Sequence, residues 1–170
     1  MDFRKFEEKN VSNNIFEYYN NTWFLISAGT PDNFNMMTAG WGGMGVMWGK
    51  PVFFIVVRKS RYTLEFIEKY DTFTCSYYGD EQKDALALCG SKSGRDIDKA
   101  KEVGLTVIQA SGYDTVTFEE AKHTYICKKV LSTELDEQAY IDKDIYKEFY
   151  NDDDTHILFI GTIEGYGTQD

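Results

Sequence analysis

The sequence predicts a mainly β (α+β) fold, an antiparallel barrel with short helices at its edges. Three observations carry that expectation. Two strand-like segments, Trp23–Ala28 and Asn35–Trp41, follow one another early, with a Gly29–Asn33 turn between them. Pro51–Val57 is a run of β-branched and aromatic residues, apolar on both faces and opened by a proline suited to a strand edge. Strands and helices do not alternate regularly, so a parallel βαβ sheet is not expected.

The remaining elements follow in order. Residues 1–20 are polar, and Ile15, Phe16, Tyr18 and Tyr19 suggest a short amphipathic helix capped near Ser12 or Asn13. Gly40–Gly49 holds five glycines and two tryptophans and reads as irregular. Tyr62, Phe66 and Tyr70 recur at helical spacing, which predicts a helix over Tyr62–Tyr70. Thr72–Tyr78 reads as a strand. Residues 81–89 and 95–103 read as helices on either side of a Gly90–Gly94 loop. Thr106–Ile108 and Ala121–Leu131 read as strands, the second alternating, with His123, Tyr125, Cys127 and Lys129 on one face. Residues 143–150 suggest a short helix, Asn151–Asp154 an acidic loop, and His156–Ile163 the last strand. No repeat or low-complexity linker is visible, so residues 1–170 are expected to form one domain.

Composition narrows the function. The 170 residues are 42% hydrophobic and 16% aromatic, enough to build a core without a disulfide or a metal. A formal charge of −10 disfavours nucleic acid and anionic lipid as partners. The longest apolar run, Val52–Val57, is far shorter than a membrane helix. The charged start MDFRKFEEKN lacks the apolar stretch of a signal peptide, so a cytoplasmic location is expected. Cys75, Cys89 and Cys127 show no CxxC spacing, and His123 and His156 are the only histidines. This inventory predicts neither a disulfide scaffold nor a metal site, and the cysteines read as small apolar fillers. No Ser-His-Asp or Cys-His arrangement can be assembled.

Four segments could carry chemistry. Gly40-Trp41-Gly42-Gly43-Met44-Gly45 matches GxGxxG, but a dinucleotide fold needs a helix to start there, and here Gly49, Pro51 and a strand follow. Two readings stay open: a loop whose backbone approaches a flat ligand closely, or an irregular hairpin filled by Trp41 and Trp48. Arg58-Lys59-Ser60-Arg61-Tyr62-Thr63, between a strand and a helix, suits an anion through its guanidiniums, hydroxyls and amides. A solvated loop held by surface ion pairs is the other reading. Gly90–Asp96 reads either as a lid over a phosphate-bearing ligand or as a helix stop and restart. His156, following three aspartates, is a proton donor, a substrate anchor or a structural histidine.

In this order, the pieces resemble the flavin reductase-like family of FMN-binding split barrels (flavoredoxin-like). The resemblance rests on Asn35–Gly43, Lys50-Pro51, Arg58–Thr63, Cys89–Asp96 with Asp98-Lys99, and His156–Gly161. It implies an antiparallel split β-barrel and a homodimer with tightly bound FMN near its interface. By that pattern Asn35, Met37, Thr38, Ala39, Gly40 and Trp41 run along the isoalloxazine, using backbone amides and the Thr38 hydroxyl. Arg58, Ser60, Arg61 and Thr63 would hold the phosphate, Ser91 and Lys92 would border the site, and His156 would be the catalytic residue on the substrate side. The implied reaction is hydride transfer from NADH or NADPH to flavin, with electrons passed to free flavin, iron or a protein partner. The alternatives are an FMN electron carrier that binds no nicotinamide, and a binding module for another planar ligand. Ser76 stands where many members carry asparagine, and Thr155 precedes His156 where a glycine-aspartate pair is common.

Overall fold

The structure is a computed structural model that describes residues 22–150, 152 and 154–169. The helix expected within residues 1–20 lies outside the described residues. The strands are β1 (Phe24–Thr30), β2 (Asn33–Ala39), β3 (Gly42–Met47), β4 (Lys50–Arg58), β5 (Thr72–Tyr77), β6 (Val107–Gln109), β7 (Val116–Phe118), β8 (His123–Glu134) and β9 (His156–Thr168). The α-helices are α1 (Thr63–Lys69), α2 (Lys83–Ser91), α3 (Lys99–Val103) and α4 (Lys143–Phe149). No helix among the described residues is long and apolar enough to cross a membrane.

Seven strands form one antiparallel sheet in the order β2-β1-β5-β8-β9-β4-β3, and β6 pairs with β7 separately. The sheet's two edges, β2 and β3, are consecutive in the chain and joined only through Gly40 and Trp41. The sheet must therefore curl back on itself. Phe24 of β1 packs on Phe53 of β4 across the interior, with ring centroids 5.5 Å apart. This is the split-barrel architecture, with short helices at its margins.

Inside the curl, Phe24, Ile26, Met37, Phe53, Ile55, Phe73, Cys75, Cys127 and Phe159 form the main core, closed at one end by Leu64, Phe66 and Ile67 of α1. The outer face of β1 and β2 is covered too. Leu25 and Met36 pack there with Leu86, Cys89, Ala100, Leu105 and Phe118. Cover on both faces explains why β1 is buried without a break from Phe24 to Gly29 instead of alternating. Ser76 supplies a core hydrogen bond of its own: its hydroxyl meets those of Thr117 and Thr124 at 3.1 and 3.0 Å, a closed ring of three hydroxyls.

Several sequence expectations are corrected. The hairpin read as one alternative for Gly40–Gly49 is present and regular, since Gly42–Met47 forms β3 and pairs with β4, but Trp41 and Trp48 are exposed and do not fill a core. The turn between β3 and β4 is Trp48-Gly49, both at positive φ (54° and 68°), the geometry of a two-residue hairpin loop. The first turn is shorter than Gly29–Asn33: β1 runs to Thr30 and β2 starts at Asn33, leaving Pro31-Asp32 as the loop. The helix expected over 95–103 covers only Lys99–Val103, since Asp98 caps it by accepting from the Lys101 amide. The short strand β7 had no counterpart in the sequence reading, and β9 extends past Ile163 to Thr168.

Gly29 permits the tight first hairpin. Its φ is 120°, and a Cβ there would collide with the Asn33 carbonyl oxygen and with Phe34. Gly29→Ala is expected to lower stability by roughly 2 kcal/mol, read as a reduced urea midpoint with an unchanged m-value.

Candidate functional site

The register of the β4–β9 ladder sets Arg58 directly opposite His156. Gly40 and Trp41 cross from the β2 edge to the β3 edge beside that pair. The Trp41 indole lies 5.2 Å from the His156 ring and 5.5 Å from Phe149 at the end of α4. These groups wall a cavity of about 300 Å³ lined by Met37, Thr38, Ala39, Gly40, Trp41, Val56, Arg58, Arg61, Phe149 and His156. Its walls are mainly apolar, with a half-exposed indole, one buried imidazole and the two guanidiniums of Arg58 and Arg61.

A second cavity of about 290 Å³ adjoins it through Met37, Arg58 and Arg61. Its lining adds Ser60, Tyr62, Thr63, Ser91, Lys92, Ser93, Gly94, Lys99 and Asp154. Four cations (Arg58, Arg61, Lys92, Lys99) thus face one carboxylate in a protein of net charge −10. Lys99 is the most constrained. It is only 5% exposed, donates to the carbonyls of Met36 (2.6 Å) and Cys89 (3.1 Å), and has no carboxylate partner among the described residues. Burial pushes its ammonium pKa below the ordinary lysine range; the nearby Cys89 works against that shift, while Arg61 adds to it.

The predicted residues fall as follows. Met37, Thr38, Ala39, Gly40, Trp41 and His156 line the first cavity, and Ser60, Thr63, Ser91 and Lys92 the second, with Arg58 and Arg61 shared. Asn35 lines neither. It is buried and donates to the Thr63 hydroxyl at 2.9 Å, leaving the Thr63 proton without an acceptor among the described residues. Gly94 packs so tightly on Asn35 that a Cβ there would collide with its side chain. Asn35 therefore shapes the second cavity from behind. The Thr38 hydroxyl donates to the Leu86 carbonyl at 2.5 Å, so toward a ligand it can only accept.

The phosphate set expected from the resemblance is partly engaged by the protein itself. The Asp154 carboxylate accepts from the Ser60 amide (2.9 Å) and the Ser60 hydroxyl (2.6 Å). Arg58 donates to the carbonyls of Asp154 and Phe149, both at 3.0 Å. Burial pushes the Asp154 carboxyl up, but the Ser60 hydroxyl and amide, with Arg58, outweigh it and hold it below the usual carboxylate range. Arg61 donates to the Gly90 carbonyl at 2.7 Å, which anchors the last turn of α2 that carries Ser91, with Lys92 following as its cap. The groups not already met by a carboxylate are thus Arg61, Lys92, Lys99 and the Thr63 hydroxyl. Lys99 and Asp154 are additions to the predicted site residues: Asp98-Lys99 enters the resemblance without an assigned role, and Asn151–Asp154 reads only as an acidic loop. The three cysteines are free and buried, and burial pushes the Cys89 thiol up to about 11, as for an inert filler.

His156 is 8% exposed, and its Nδ1 lies 2.9 Å from the Tyr150 hydroxyl. Burial first, then the charge of Arg58, pushes its pKa down to about 4 against a smaller pull from Asp154. The folded state therefore favours neutral imidazole, and between about 6.5 and 4 the unfolded chain binds more protons than the folded one. Stability from this source is complete above the ordinary imidazole range and is lost as pH falls toward 4. Urea unfolding is expected to show that loss, and His156→Gln to flatten it.

Comparison with known proteins follows from this geometry. The "Flavin reductase like domain" family model matches residues 16–170. No curated protein matches the sequence. Among solved structures, flavoredoxin from Methanosarcina acetivorans superposes with a TM-score of 0.70 at 21% identity, covering 88% of this chain and 69% of that one. Flavoredoxin of Desulfovibrio vulgaris (Miyazaki F) gives 0.68 at 23% identity, covering 87% and 69%. The styrene monooxygenase flavin reductase of Pseudomonas putida S12 gives 0.63 at 17% identity, covering 88% and 80%. At these identities the superpositions speak for the fold, while the family match spans nearly the whole sequence: the chain belongs to the flavin reductase-like family.

Proposed function

We propose that the protein binds FMN across the two adjoining cavities and works as an NAD(P)H-dependent flavin reductase-like oxidoreductase. One observation carries this reading: a mainly apolar cavity walled by Trp41 and His156 adjoins, through Met37, Arg58 and Arg61, a second cavity lined by four cations. That pairing suits a flat ring joined to a phosphate tail. The residues fit the group chemically. Lys99 holds a buried positive charge that no carboxylate among the described residues neutralises, and Arg61, Lys92 and the Thr63 hydroxyl supply donors beside it. Arg61, Lys92, Lys99 and Thr63 hold the phosphate, and Ser91 and Ser93 border it. The backbone of Met37–Trp41 faces the ring. Arg58 and Ser60 act through Asp154, holding the segment before His156 in place.

Bound FMN would supply a two-electron centre between a nicotinamide donor and a further acceptor. The chain's own contribution is to orient the partners, exclude water with Trp41 and Phe149, and present His156 to the substrate side. A homodimer belongs to this proposal. The β3–β4 hairpin, next in sequence to Trp41, exposes Val46, Met47, Trp48 and Phe54, an apolar run suited to a second copy.

Anaerobic NADH or NADPH added to the FMN-loaded protein is expected to bleach its visible flavin absorbance. A yellow protein that bleaches with dithionite but with neither nicotinamide would favour the electron-carrier alternative. A protein that takes up no FMN would sink the flavin reading. Arg61→Ala is expected to weaken FMN binding by about 1–3 kcal/mol, measured by fluorescence titration.

A further inference from the structure

We propose that Tyr150, at the end of the excursion between β8 and β9, is a positioning residue that fixes His156 in one tautomer, so that the site presents a neutral Nε2–H donor to its ligand. Tyr150 is 4% exposed, its hydroxyl is 2.9 Å from His156 Nδ1, and its ring meets the imidazole edge-on at 80°. One proton occupies that hydrogen bond. A phenol is a stronger acid than a neutral imidazole N–H, and an imidazole nitrogen is a stronger base than a phenol oxygen. The tyrosine therefore donates and Nδ1 accepts. A neutral imidazole must then carry its proton on Nε2. No described residue bonds Nε2, and His156 lines the slot beside Trp41.

The surroundings keep both partners in those states. The charged groups facing His156 are Arg58 across the ladder, Arg61, and Asp154; two cations and burial outweigh one carboxylate and leave the imidazole neutral. Burial pushes the Tyr150 phenol well above its ordinary range, and a side-chain hydrogen bond with Tyr140 adds to the shift, so it keeps its proton. Between the two acceptors the imidazole nitrogen is the stronger base, so the Tyr150 proton goes to Nδ1 and Tyr140 is the donor to Tyr150. Tyr150 is itself fixed. The Arg58 guanidinium lies 5.5 Å from its ring centre and bonds the carbonyl just before it. Rings of Tyr140 and Tyr146 pack on it at 5.8 and 5.4 Å.

A fixed neutral donor suits a carbonyl-type oxygen or an unprotonated ring nitrogen, and it is not an imidazolium acid. The role toward substrate rests on the function proposed above, whereas the tautomer does not. Side-chain ¹⁵N NMR of the purified protein tests it, with His123→Gln used to assign the two histidines. The expected result is an unprotonated Nδ1 and a protonated Nε2 on His156, unchanged between about pH 5 and 8. Tyr150→Phe should give a mixture of tautomers and slow flavin reduction roughly tenfold or more, with FMN affinity retained. A wild-type Nδ1–H tautomer, titration of His156 near pH 6.5, or a Tyr150→Phe protein with unaltered tautomer or unaltered rate would each overturn the proposal. The wild-type spectrum decides the tautomer even where the variant fails to fold. A protein that binds no FMN yet shows this tautomer would refute only the proposed function.

Discussion

Lys99 reaches from the start of α3 to the carbonyls of Met36 on β2 and Cys89 on α2. These two bonds tie the helical cover to the edge of the barrel. They also leave an ammonium buried without a carboxylate among the described residues, an arrangement that costs several kcal/mol when nothing compensates it. Two carbonyl dipoles offset part of that cost. The remainder is a positive potential along the second cavity, to which Arg61 and Lys92 add. An anion entering there relieves a penalty that the fold has already incurred, so the same lysine links packing to ligand choice.

The opposite side of the site is governed by a carboxylate. Asp154 occupies the Ser60 amide and hydroxyl, and Arg58 clamps the backbone on either side of Tyr150. This pins the end of a long excursion between β8 and β9 onto the β4 exit. His156 begins β9 immediately afterwards, opposite Arg58 in the ladder. Its position is therefore set by strand register on one side and by the excursion's anchors on the other. Rigid placement of this kind is what a donor in a reactive site requires.

Much of the fold was legible because apolar strands and short helices leave distinct periods in the sequence. Trp23–Ala28, Pro51–Val57 and Thr72–Tyr78 read as strands and overlap β1, β4 and β5, and Tyr62, Phe66 and Tyr70 at helical spacing mark α1. β3 escaped because its hairpin turn is Trp48-Gly49, without the Asn-Gly or Asp-Gly signature that usually marks two positive φ angles. β7 escaped because three residues carry too little pattern. For the site, the Arg58–Thr63 motif was visible as a cluster of cations, but its division of labour was not. That Asp154 would take Ser60, that Asn35 would stand behind Thr63, and that Lys99 would be buried all depend on contacts between residues 28 to 94 positions apart. Local sequence does not encode such distances, and the role of the glycine-rich segment came from family resemblance.

In the proposed function, ligand choice is set by a mainly apolar cavity that adjoins a cation-lined one. Comparing FMN with riboflavin, which differs only by the phosphate, tests it most directly. Titrations at low and high salt should show FMN binding roughly a hundredfold tighter than riboflavin at low ionic strength, with the gap narrowing as salt rises. Equal affinities for the two flavins, or a gap indifferent to salt, would contradict the account.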